Sequence, residues 1–461
     1  MALMIYFPGS QIPLSVAGII KKVDYNKPNP DFEKDVHIIV PVKNEELRIP
    51  YALGSLMAQD YKRLKLTVVN NLSSDKTYEV SKRLIKLFPG RYDAAVIDNP
   101  EPGKTPSIKM AMKERPDCNL TFILDADTYL TDSDYISTLA AQFEKQKVGS
   151  AYGTVRPIRF RGAREAYDKF VRGMLPRNRD NPRQNLEDIA ESSEIKLKGG
   201  LLRRMMEIEK GSPERELEKI VKASEPKKRA GPLDNMVIST RASLYSFDQS
   251  FIKRGQMGIY GTTTFPIGCG VMYDTELLGS IFSEYEKTLG NNLTNSEDIF
   301  LGFAIRDRER ENFYVPSVHM ETAEPKITKY FRQNKMWNSS FIQSSFYFRK
   351  DAFKLFSTRG TPEKAMGASI LFPLIEKITY PALLGYFAAT GQYDITLAAM
   401  GFEVATYALI NLAFAQKGYR LKSVADTFYA EPLRLASFFS ELYTSASFVK
   451  DLITRNRNWR K

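Results

Sequence analysis

From residue 35 onward the chain alternates between short apolar runs and segments whose apolar residues recur at helical spacing. VHIIVPV (Val36–Val42) is a strand-length apolar run, and Glu45 to about Gln59 follows with helical spacing. LKLTVV (Leu64–Val69) is a second strand. Ser73 or Ser74 then stands where an N-cap would open a helix whose Val80, Leu84, Leu87 and Phe88 share one face. AAVI (Ala94–Ile97), a helix from about Pro106 to Lys113, and a fourth strand ending at Asp125 complete the series. This alternation predicts an α/β fold built on a doubly wound sheet. In such sheets ligands bind beyond the carboxyl ends of the strands. Three polar loops fall there: KNEE, NNLSSD and DADT.

The pattern then changes twice. Residues 160–235 are dense in mixed charge, from RFRGAREAYDKFVRG to ASEPKKRAGP, with one expected helix at LLRRMMEIEK. They read as a basic insertion or as a solvated helical flap. The tail carries two apolar stretches, Ile370–Ala389 and Ile395–Ala415, each close to the ~20 residues that cross a bilayer. Glu376, Lys377 and Glu403 interrupt them, and each such charge costs roughly 2.5–3.5 kcal/mol on insertion scales. Two buried helices and a membrane hairpin therefore both stay open. Arg349, Lys350 and Lys354 before the pair, with Lys417, Arg420 and Lys422 after it, favour a hairpin with both ends cytoplasmic. The last stretch, from Pro432 to Lys461, is amphipathic with a basic end and suits a membrane face. The division is thus an N-terminal arm (1–34), a first α/β half (35–159), the charged insertion (160–235), a second half (236–345) and a C-terminal helical, membrane-associating region (346–461).

Lysine and arginine number 66 against 54 acidic residues, a net charge of +12. That excess suits an anionic partner: a nucleotide, an acidic membrane or nucleic acid. Cys118 and Cys269 are the two cysteines, too few for a disulfide framework, so a reducing compartment is expected. The first residues are apolar but lack a basic start and contain Pro8 and Pro13, unlike a signal peptide.

DADT sets Asp125 and Asp127 at a strand end, where two carboxylates can hold a divalent cation that bridges a diphosphate. VPVKNEE, VVNNLSSDKT, PGKTPSIKMAM and FILDADT occur in that order, each at a strand–loop–helix junction. Together they resemble the nucleotide-sugar half of inverting family-2 glycosyltransferases, whose fold is called GT-A. FPIGCGVMYDTELL (Phe265–Leu278), NSEDIFLG and HMETAEPKITKYFRQNKMW (His319–Trp337) resemble the acceptor motifs of membrane polysaccharide synthases of the chitin, hyaluronan and cellulose type. The closing NRNWRK is similar to the ending of some members.

The resemblance implies a GT-A mixed sheet and a set of roles. Pro41, Asn44, Glu45, Asn71, Lys104 and Asp125 would bind the nucleotide, with Asn71 at the uracil. Asp127 would hold Mn²⁺ or Mg²⁺. Asp298 would be the base of an inverting displacement, or else a helix-start carboxylate. Gly268, Cys269, Gly270, Glu297, Gln333 and Trp337 would line the acceptor and diphosphate side, Trp337 being alternatively plain core. The family's arginine before that tryptophan is Met336 here, leaving Lys335 or Arg332 as nearby cations, and the family's asparagine after the GK segment is Lys109. His319 is either a metal ligand or structural, and His37 is structural. The implied activity moves a sugar from a nucleoside diphosphate sugar, UDP favoured, to a glycan or lipid-linked acceptor at the cytoplasmic face of a membrane. A processive synthase acting as an oligomer, a silent scaffold and a nucleic-acid-binding protein are the competing classes. The last has no recognition module in its support.

Overall fold

The computed structural model describes residues 11–29, 34–87, 93–158, 231–289, 297–357, 361–416 and 418–453. The chain divides into two compact units: Glu33–Ser137 with Arg159–Arg229, and Met1–Phe32 with Thr138–Ile158 and Ala230–Lys461. Most of the charged insertion, its expected helix and the NRNWRK ending lie outside the described residues.

The chain's first described element, helix α1 (Gln11–Ile19), belongs to the second unit. The first unit then alternates strand and helix: β1 (Val36–Val42), α2 (Ile49–Met57), β2 (Leu64–Asn70), α3 (Thr77–Leu87), β3 (Asp93–Asp98), α4 (Lys104–Glu114), β4 (Leu120–Leu124) and the short β5 (Thr128–Leu130). Four strands run parallel in the order β3-β2-β1-β4. The central strands are continuous apolar runs because both faces are covered, while β3 is half-exposed and ends in Asp93 and Asp98. Pro41 in a central strand is tolerable because β1 pairs with β4 only through Ile39. The missing amide of Pro41 therefore breaks no bond to β4.

Two helix starts differ from expectation. α2 begins at Ile49, not Glu45, with Pro50 in its first turn, where a fixed φ and a missing donor cost nothing. α3 begins at Thr77, and its start is capped by Asp75, which accepts the Thr77 amide at 3.0 Å. Ser73 and Ser74 bond to Asn44 instead.

Helix α5 (Tyr135–Gln142) straddles the division at Ser137. The second unit continues with β6 (Val148–Pro157), α6 (Pro232–Phe247), one π-helical turn (Asp248–Lys253), α7 (Arg254–Tyr260), β7 (Gly270–Asp274), α8 (Thr275–Leu289), α9 (Glu297–Asp307), β8 (Glu311–Thr322), α10 (Ile327–Tyr347), α11 (Arg349–Ser357), α12 (Thr361–Ala389), α13 (Tyr393–Phe414) and α14 (Arg420–Ile453). β6 is antiparallel to β7 and parallel to β8. The N-terminal arm docks through glycines: a Cβ on Gly18 would lie 1.9 Å from the Gly255 carbonyl oxygen, and one on Gly258 1.9 Å from that of Gly18.

The tail is three long helices: the expected apolar stretches Ile370–Ala389 and Ile395–Ala415 fall on α12 and α13, and the expected amphipathic stretch from Pro432 falls on α14 as far as Ile453. The mid-stretch charge Glu403 is not left bare. It pairs with Arg434 of α14 and accepts the Tyr380 hydroxyl of α12 at 2.6 Å. Among the described residues one helix, Tyr393–Phe414, is long and apolar enough to cross a membrane, with mean hydropathy 1.5. Its Tyr393, Leu397, Phe402 and Leu409 are exposed.

Candidate active site

In the first unit the loops after β1 and β2 are stitched together. The Asn44 amide donates to Ser73 Oγ at 3.0 Å, and Asn44 Oδ1 accepts the Ser74 amide at 2.8 Å. Glu45 N–H reaches Thr77 Oγ1 at 2.8 Å, and Glu46 Oε2 accepts the Lys76 amide at 3.0 Å. Asn44 and Leu72 take positive φ, 56° and 52°, a strained choice for non-glycine residues that this bonding compensates. Pro41 sits just before, paired with Val69 on β2.

Asn71 is buried, and both ends of its amide are engaged with Gly103. Its Nδ2 donates to the Gly103 carbonyl at 2.6 Å, and its Oδ1 accepts the Gly103 amide at 3.3 Å. Gly103 has φ +133°, open to glycine and costly for other residues. The clasp fixes the start of α4, and so Lys104. Lys104 Nζ stands 2.6 Å from Asp125 Oδ1. Its neighbour Asn70 is also buried; Nδ2 donates to Asp98 Oδ1 at 2.7 Å, while Oδ1 has no hydrogen-bond partner among the described residues. Asn70 has no signal in the sequence beyond its adjacency to Asn71.

Asp125 and Asp127 follow β4. Burial, then the neighbouring Asp125 and Glu45 carboxylates, push the Asp127 carboxyl up to about 7, against Arg48 and Lys104. The repulsion from Asp125 and Glu45 is the part of this shift that a divalent cation relieves. Among the described residues no group of three or more His, Cys, Asp or Glu side chains is placed to hold a metal. The two carboxylates nonetheless fit Mg²⁺ or Mn²⁺, which bind through one or two carboxylates and complete their shells with water and substrate phosphate.

The motifs expected on the acceptor side lie in the second unit. Asp298 and Glu297 open α9, in its favourable first turn. Gly268 lies directly under Asp298: a Cβ there would meet Asp298 Oδ2 at 2.4 Å and Asp298 Cβ at 2.6 Å. Gly302 plays the same part toward Phe265, whose Cβ would be 2.3 Å away. Cys269 is buried with Sγ 4.0 Å from Met320 Sδ, and Gly270 starts β7. Beneath this loop Lys253 is buried at the end of the π-helical turn. It donates to the Phe265 carbonyl at 2.8 Å and lies 4.0 Å over the Phe265 ring. Burial pulls its ammonium below the usual lysine range, with Asp248 and Asp298 opposing.

On α10, Gln333 and Trp337 are half-buried on Arg241 of α6. Arg241 Nη2 donates to Gln333 Oε1 at 3.1 Å, and the guanidinium lies 4.1 Å over the Trp337 ring. Lys335 Nζ instead lies 4.8 Å over Tyr443. His319 Nε2 is 3.2 Å from Gln416 Nε2. His37 is buried against Thr67 Oγ1 at 2.8 Å. Arg241 and Lys253 had no sequence signal, being distant in the chain from the motifs they serve.

Residues 37–195 match the family model described as Glycosyl transferase family 2. The matched segment, well under half of the chain, supports an enzyme of the glycosyltransferase class, of hexosyltransferase type. Among solved structures, the mannosyltransferase PcManGT from Pyrobaculum calidifontis, in complex with GDP-Man and Mn²⁺, is 16% identical over 96% of this chain and 98% of that one, with TM-score 0.52. That likeness shows the GT-A-like fold. S. aureus TarS 1–349 in complex with UDP-GlcNAc is 12% identical over 90% of this chain and 92% of that one, TM-score 0.38. GalNAc-T7 with UDP, GalNAc and Mn²⁺ is 11% identical over 74% of this chain and 55% of that one, also at 0.38. No curated protein matches the chain.

Proposed function

We propose that this protein is a metal-dependent inverting glycosyltransferase that moves one sugar from a nucleoside diphosphate sugar to a glycan or lipid-linked acceptor at a membrane. The observation that carries this is the Asp125–Asp127 pair beyond β4, with Lys104 held on Asp125 and the Asp127 carboxyl raised by burial and then by the neighbouring Asp125 and Glu45 carboxylates. Asp127, with Asp125, would hold Mn²⁺ or Mg²⁺, which when bound neutralises the charge developing on the diphosphate. Asn70 Oδ1 offers a buried acceptor for an N–H of the base, while Asn71 shapes the loop that carries Lys104. Asp298, set on Gly268, takes the proton of the acceptor hydroxyl. Gln333 donates to the diphosphate, and Trp337 gives a face for a sugar ring.

The exposed apolar side chains of α13 support attachment to a membrane. Limited transfer is favoured over polymer synthesis, since a single qualifying helix among the described residues gives no bundle for a polymer channel. The test is release of nucleoside diphosphate from UDP- and GDP-sugars with Mn²⁺ and vesicles. Turnover lost in Asp127→Asn and Asp298→Asn supports these roles; an active Asp127→Asn or Asp298→Asn overturns that residue's assignment.

A further inference from the structure

The stretch from Gln333 to Trp337 carries Met336 where an arginine would be expected, yet a guanidinium is present beside it. Arg241 comes from α6, and its side chain is buried. Its Nη2 donates to Gln333 Oε1 at 3.1 Å and to Asn334 Oδ1 at 2.6 Å. Its plane lies 4.1 Å over Trp337 and 4.9 Å over Tyr330. Its Nε is 3.4 Å from Glu324 Oε2, in the TAEP run that precedes α10. One side chain thus joins the TAEP run, Gln333 and Trp337.

We propose that Arg241 is a positioning residue that sets Gln333 and Trp337 for the diphosphate of the donor. This rests on the transferase function proposed above. A guanidinium only donates hydrogen bonds. Gln333 must therefore turn its amide oxygen to Arg241, which directs its two N–H donors elsewhere, ready for a phosphate oxygen. The Trp337 ring is held at the same time by the flat face of the cation. The charge of Arg241 is matched by Glu324, so its contribution is orientation and not a net positive field. Lysine has neither the fork nor the flat face for these contacts.

Removing Arg241 alone would strand Glu324 in the interior, so the informative variant changes both: Arg241→Gln with Glu324→Gln. Trp337 and Trp459 are the two tryptophans. In a Trp459→Phe background, emission therefore reports Trp337. UDP and GDP are titrated with Mn²⁺, and the melting midpoint is recorded in parallel. The paired variant is expected to stay folded and to lose affinity at least about tenfold, with Arg241→Lys between it and the parent. A folded paired variant that binds as tightly as the parent overturns the proposal. A parent that binds a nucleotide but releases none from any sugar donor overturns the transferase function, while the binding comparison still decides Arg241. A parent that binds neither nucleotide overturns both.

Discussion

Gly268 and Asn71 show how single residues carry the proposed chemistry. Gly268→Ala would drive a methyl group into Asp298, at backbone-proximal Cβ as well as Oδ2. Transfer should fall at least about a hundredfold, with a stability loss of roughly 1–3 kcal/mol; unchanged turnover would show that Asp298 is not held by this contact. Asn71→Asp would set a carboxylate against the Gly103 carbonyl that the amide now bonds at 2.6 Å. Donor affinity should fall as Lys104 loosens, measured by titration of UDP with Mn²⁺; tighter binding would return Asn71 to direct contact with the base. A loop of two asparagines declares polarity in sequence. That the Asn71 amide ties down a neighbouring loop depends on Gly103, 32 positions away.

At the scale of elements, the strands were legible because period and composition fix them locally, and their carboxyl-end loops came with them. The helix starts were less so. Pro50 and Asp75 set the true first turns of α2 and α3, and both compete with other plausible starts nearby. The motifs read as an acceptor side stand out in the sequence, but the residues packed beneath them do not. Lys253 and Arg241 are brought there by packing of the α6–α7 helix, and no local pattern marks them. The tail behaves similarly: Glu403 counts against an apolar helix in sequence, yet Arg434 and Tyr380 satisfy it. Arg434→Met would leave Glu403 without that cation and should cost about 3–5 kcal/mol by urea unfolding; a loss below about 1 kcal/mol would mark the pair as solvent-screened. Exposed Leu397 and Leu409 on α13 predict that changing both to glutamate releases the protein from anionic vesicles in a flotation assay. Undiminished flotation would assign attachment to another segment.

For the whole molecule, His37 ties stability to pH. Burial, reinforced by the Arg115 and Lys65 cations, pulls the imidazole down to about 4 from 6.5. The unfolded chain therefore takes up the proton first on acidification, and stability present above pH 6.5 drains as pH falls toward 4. Between pH 6.5 and 5 this amounts to about 2 kcal/mol, at roughly 1.4 kcal/mol per pH unit. The difference in unfolding free energy between wild type and His37→Gln should shrink by that amount over the interval; a constant difference would contradict a buried neutral His37. The central claim is transfer from a nucleoside diphosphate sugar through the acidic pair beyond β4. It is tested most directly by release of UDP or GDP from sugar donors in Mn²⁺ and vesicles, wild type beside Asp127→Asn. Release that requires Mn²⁺ and disappears in a folded Asp127→Asn protein is the predicted result. Release undiminished by chelator and by Asp127→Asn would contradict it.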